Sequence, residues 1–137
     1  MTFEEAIAEQ PQWVQLWVSW MSFVLIGSFV ALLFSKATRR DALILLAVNL
    51  PMVFAMQWLY AQVGYVRLLG LPHVIFWTPL VIYFIRRLRD PSITAPFRQV
   101  IWLLLSTMII SLGFDYADVA RYLLGEREAL VTAALLL

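Results

Sequence analysis

The sequence predicts an all-α integral membrane protein, a bundle of four transmembrane helices with both termini on the outer (periplasmic or extracellular) side. Three observations predict it. The 137 residues are 63% hydrophobic and 14% charged, with mean hydropathy +0.83, whereas soluble domains are about half apolar and about a quarter charged. The apolar residues form four continuous runs near the length of about 20 residues that crosses about 30 Å of hydrocarbon. Finally, the basic residues cluster in alternate connections.

The first two spans, 13–34 and 42–62, carry no charge. The third has a short core, 71–85, whose one group titrating near neutral pH is His73, and it reaches spanning length over 66–88. The fourth, 99–124, carries Asp115, Asp118 and Arg121 near its far end. A β-barrel would need short strands of alternating polarity, and these runs are continuously apolar, so helices are expected. The chain reads as one membrane domain, 1–137.

The connections set the orientation. Loop 35–41 holds Lys36, Arg39 and Arg40, and loop 86–98 holds Arg86, Arg87, Arg89 and Arg98, together seven of the ten Lys and Arg residues. Basic loops favour the cytoplasmic side. The opposite side carries Arg67, Arg121 and Arg127 with seven of the nine carboxylates. A multi-pass protein of the inner or plasma membrane is expected. The acidic start, with Glu4 and Glu5, lacks the basic region of a secretory signal, so the first span is expected to be retained. Thr2 stands where myristoylation needs glycine. The tail 129–137 is apolar but too short to span.

Without cysteine the chain forms no disulfide, thiolate nucleophile or cysteine-held metal site. No phosphate-cradling glycine loop or nucleic-acid signature occurs, so no nucleic-acid partner is expected. One histidine without a His-x-x-x-His pair is a poor zinc set, and no metal is assigned. The cofactor stays open.

Polar residues inside a membrane usually face other helices or a water-filled cavity, so their helical phase is informative. On the fourth span Thr107, Ser111, Asp115, Asp118 and Tyr122 recur every three or four residues and share one stripe. Asp115 lies about 24 Å along that helix from Gln99, in the outer quarter of the bilayer. Gln12, Gln15, Ser19 and Ser22 form a stripe on the first span, beside one of Trp13, Trp17 and Trp20. Asn49, Gln57 and Tyr60 share a sector of the second span, and His73 and Trp77 lie one turn apart on the third.

These stripes thicken toward one end and predict an outward-open polar pocket. Its expected residues are Asp115 as principal charge, Asp118 and His73 assisting, and Gln57, Tyr60, Ser19 and Ser111 lining it. Asp115 also suits a charge pair with Arg67 or Arg121 at the bilayer edge, and Pro51 and Pro79 are expected to bend their helices. Three functions fit. The first is binding or transport of a proton, ion or small cationic molecule, in a homo-oligomer because one four-helix chain is small for a complete path. The second is an accessory subunit of a larger membrane complex. The third is a membrane-embedded enzyme using Asp115 and His73 as an acid–base pair on a lipid-like substrate.

Overall fold

A computed structural model describes residues 2–64 and 67–125, and these contain helices and turns without a strand. In order they are α1 (Phe3–Ala8), α2 (Gln12–Leu33), α3 (Arg39–Val63), a 3₁₀ turn (Arg67–Gly70), α4 (Leu71–Arg87) and α5 (Phe97–Leu123). Four of these segments are long and apolar enough to cross a membrane: Gln12–Leu33, Arg39–Val63, Leu68–Arg87 and Phe97–Leu123. The apolar tail expected at 129–137, and Arg127, lie outside the described residues.

Prolines and glycine set several boundaries. Pro11 precedes α2 and Pro96 precedes α5. Pro72 sits in the first turn of α4, where a missing N–H costs nothing; a helix begun at 66 would have placed it inside. The chain instead enters α4 through the 3₁₀ turn. Gly64 ends α3 with φ +76 and donates its N–H to the Tyr60 carbonyl at 2.8 Å, a backbone geometry that favours glycine. Pro51 and Pro79 lie inside α3 and α4, which continue through them with each proline exposed.

Helix α1 is an addition to the four expected elements. Thr2 accepts from the Glu5 N–H and Glu5 accepts from the Thr2 N–H, a capping box. Helix α3 begins at Arg39, three residues before the apolar run, so Asp41 belongs to its first turn rather than to a loop.

The five residues between α2 and α3 reach at most about 18 Å. The 22 residues of α2 cover about 33 Å, so α3 must return alongside α2. Each long helix packs on the next, and α5 closes on α2. Their shared core includes Leu45, Trp77, Phe84, Leu104 and Met108. The outer surface is equally apolar: Phe23 is 69% exposed and Phe54 72%, with Ile26, Leu50, Trp58, Trp102 and Ile110 also outside. The bundle therefore has two distinct ends. One carries α1, the α3–α4 connection and the C-terminus of α5; the other carries the two basic connections.

Candidate functional site

At the end bearing α1, the 3₁₀ turn lies against α5. A Cβ on Gly70 would stand 3.2 Å from Cα, Cβ and O of Asp115, so the absence of a side chain permits this approach. It brings His73, in the first turn of α4, to Asp115: Nδ1 and Oδ2 are 3.9 Å apart, with side chains 12% and 15% exposed. That is an ion-pair distance for a charged imidazole and too long for a hydrogen bond. His73 Nδ1 is buried without a hydrogen-bond partner. Ser111, one turn earlier on α5, donates its hydroxyl to the same Asp115 oxygen at 3.4 Å.

The imidazole is held from behind. Its ring meets Trp77 edge-on, centroids 4.7 Å apart at 87°. Trp77 donates its indole N–H to Asn49 Oδ1 at 2.9 Å, and the Asn49 amide donates to the Leu45 carbonyl at 2.7 Å. A continuous line of contacts thus runs from α5 through α4 to α3. Gly70→Val is expected to push the 3₁₀ turn off Asp115 and to cost about 1–3 kcal/mol, the usual penalty of overpacking. Its effect on the thermal midpoint in detergent should be matched by an altered His73 ring resonance in NMR. A wild-type midpoint and resonance would show that the close approach does not constrain the pair.

The other residues expected in this pocket are placed differently. Gln57 donates to Glu4 at 3.3 Å and Tyr60 donates to the Thr2 carbonyl at 3.3 Å, so both hold α1. Gln15 does likewise, donating to the Ala8 and Gln10 carbonyls at 3.0 and 2.8 Å. Ser19 is exposed on α2. Asp118 is one turn beyond Asp115, and among the described residues no three His, Asp or Glu side chains gather as a metal set. Arg121 is exposed, and the Arg67 side chain lies outside the described residues. Trp20 turns its N–H inward to Thr107 at 3.2 Å. With Trp13, Leu16, Trp17, Ile110 and Phe114 it walls an open apolar groove of about 470 Å³ between α2 and α5.

The basic end holds a cluster that sequence reading did not identify. Asp41 is fully buried. It accepts from Arg87 Nε at 2.9 Å and Nη2 at 3.1 Å, and from the Tyr83 hydroxyl. Arg87 also donates to Asp90 and to the Ala37 carbonyl, both at 2.8 Å. Arg98 donates to the carbonyls of Leu88, Asp90 and Ile93. In the connection between α4 and α5, the Ser92 N–H and hydroxyl, with Arg87 assisting, hold the Asp90 carboxyl below the usual carboxylate range. Those bonds are complete at neutral pH and are lost only as pH falls through the depressed value. The signal in the sequence was Asp41 itself, one of only two acids among seven bases at this end.

The two clusters differ in chemistry. At the basic end the two carboxylates, Asp41 and Asp90, are both engaged by Arg87 and act as a clamp. The His73–Asp115 pair has an unengaged nitrogen facing a carboxylate, which suits it to hold a proton or a small cationic group. Compared with known proteins, the chain matches no family model, no curated protein and no solved structure.

Proposed function

We propose that this is a multi-pass membrane protein that binds a proton or small cation between His73 and Asp115, as a transporter or binding protein. The observation that carries the reading is the buried His73 Nδ1, unpartnered and 3.9 Å from Asp115 Oδ2. Ionisable groups within membrane-spanning segments are rare and are functional by default. Membrane insertion is supported by the apolar exterior: large apolar side chains exposed on every long helix are stable in lipid. The Lys and Arg distribution supports both termini outside. The absence of native cysteine makes sidedness measurable, because single cysteines at Glu9 and Ser92 should label from opposite faces with an impermeant maleimide.

One four-helix chain is small for a transport path, and a homo-oligomer is the expected assembly. The full chain reconstituted in liposomes should pass protons or a monovalent cation, read by an entrapped pH dye or by isotope uptake. Asp115→Asn should lower that flux at least about 10-fold, the loss of one charge-assisted contact worth about 1.5–3 kcal/mol. Flux equal in wild type and Asp115→Asn, over protons and small cations alike, overturns the assignment.

The same 3.9 Å separation also favours a second reading, acid–base catalysis on a lipid-like substrate, since the pair is within reach of one bridging group. Turnover of a lipid without flux would select it. The aromatic groove favours a third, an accessory subunit, which a stoichiometric unrelated partner in native purification would select.

A further inference from the structure

The seven bases of the basic end have unequal duties. Arg87 and Arg98 are spent on Asp41, Asp90 and loop carbonyls. Lys36, Arg39, Arg40, Arg86 and Arg89 are exposed. Arg39 gives only its Nε, to the Leu33 carbonyl. Both carboxylates of this end are already committed, Asp41 inside the protein and Asp90 to Arg87 and Ser92. Seven bases against two acids leave this end a net charge of +5. Among the described residues no carboxylate pairs with the five exposed bases.

Their surroundings narrow the ligand. Asp41 and Arg87 bring the first turn of α3 against the last turn of α4, so Arg40 and Arg86 belong to adjoining helix ends. Exposed apolar side chains begin immediately beside these bases: Phe34 is 77% exposed next to the Lys36 loop, Leu43 is 58% exposed one turn along α3, and Ile85 is 43% exposed beside Arg86. A free phosphate would satisfy only the cations. A phosphodiester attached to acyl chains satisfies both layers.

We infer that the basic end binds anionic phospholipid, with Lys36, Arg40, Arg86 and Arg89 on the headgroup phosphate and Phe34, Leu43 and Ile85 against its chains. This rests on the membrane reading above and concerns a surface separate from the His73–Asp115 pair. Juxtamembrane bases each contribute about 1 kcal/mol toward an anionic surface, equivalent to about 5-fold in affinity.

The test uses the full chain in detergent and in bilayers of phosphatidylcholine with phosphatidylglycerol. Native mass spectrometry should find phosphatidylglycerol retained over phosphatidylcholine, and high salt should weaken the preference. Inorganic phosphate should neither displace the lipid at equal concentration nor raise the thermal midpoint as the lipid does. Changing Lys36, Arg40, Arg86 and Arg89 together to Gln should reduce the preference at least about 10-fold, with Arg87 left to hold the fold. Should that variant fail to fold, the pairs K36Q/R40Q and R86Q/R89Q are measured separately, each expected to lose about 5-fold or more. Equal retention of the two lipids, an unchanged preference in the charge variants, or stabilisation by phosphate alone overturns the proposal. Extraction of the wild-type chain from membranes by carbonate would defeat the membrane reading itself. A chain that resists carbonate yet ignores headgroup charge defeats this inference alone.

Discussion

Arg87→Leu is expected to destabilise the protein by about 3–5 kcal/mol, the range for removing one partner of a buried ion pair. Asp41 is fully buried, and Arg87 supplies two of its three hydrogen bonds. Leucine leaves that carboxylate with the Tyr83 hydroxyl alone. It also frees the Ala37 carbonyl and leaves Asp90 to Ser92 alone, so the connections on both sides of the clamp loosen together. Arg87→Lys should fall between, because it keeps the charge and loses the planar fork.

The double variant Asp41→Leu/Arg87→Leu should recover much of the loss, since a buried pair replaced by apolar groups is often near neutral. Thermal unfolding in detergent, followed by circular dichroism over the four variants of the cycle, reads the coupling directly. A single variant within about 1 kcal/mol of wild type, against the range above, would show that the clamp is not what holds this end.

The same residues explain what could be read from the chain. The four long apolar helices were legible because a continuous apolar run of membrane length has few other uses. Their exact starts were not: a helix can begin in a charged turn, as α3 does at Arg39 and Arg40, and a hydropathy window excludes those residues. Helix α1 was legible in principle, since Thr2 and Glu5 have capping-box spacing. Helical phase placed Thr107 and Ser111 on a common face, and both are buried. Phase fixes a direction about one helix axis and says nothing of which neighbour stands there. Gln57 and Tyr60 accordingly reach α1, while Trp20 reaches Thr107. The Asp41–Arg87 pair was hidden for another reason. Its members are 46 residues apart, and arginine in a basic loop already had a topological explanation.

Trp77→Ala is expected to be the most damaging change near the candidate site, at about 3 kcal/mol, the low end of the range for large-to-small core substitutions. The low end follows from the membrane reading proposed above: lipid is as apolar as a protein interior, so helix association in a bilayer draws on packing rather than on transfer from water. Trp77 is only 1% exposed, and alanine would leave a cavity among α3, α4 and α5. Asn49 Oδ1 would lose its donor, and the His73 imidazole would lose the ring that meets it edge-on. Trp77→Phe separates these effects. It keeps an aromatic ring beside His73 and removes the hydrogen bond to the part-buried Asn49, a loss of about 1 kcal/mol, together with the packing volume of the second ring. On the double variant Asn49→Leu/Trp77→Phe, with both polar partners gone, part of that loss should return. Flux in liposomes supplies the readout that stability alone does not. Trp77→Phe should retain most activity, whereas Trp77→Ala should lose it in the fraction that still folds, because His73 is no longer held toward Asp115. Equal flux in the two variants would mean that the imidazole is positioned by something other than Trp77, and that the line of contacts from α3 to α5 serves the fold alone.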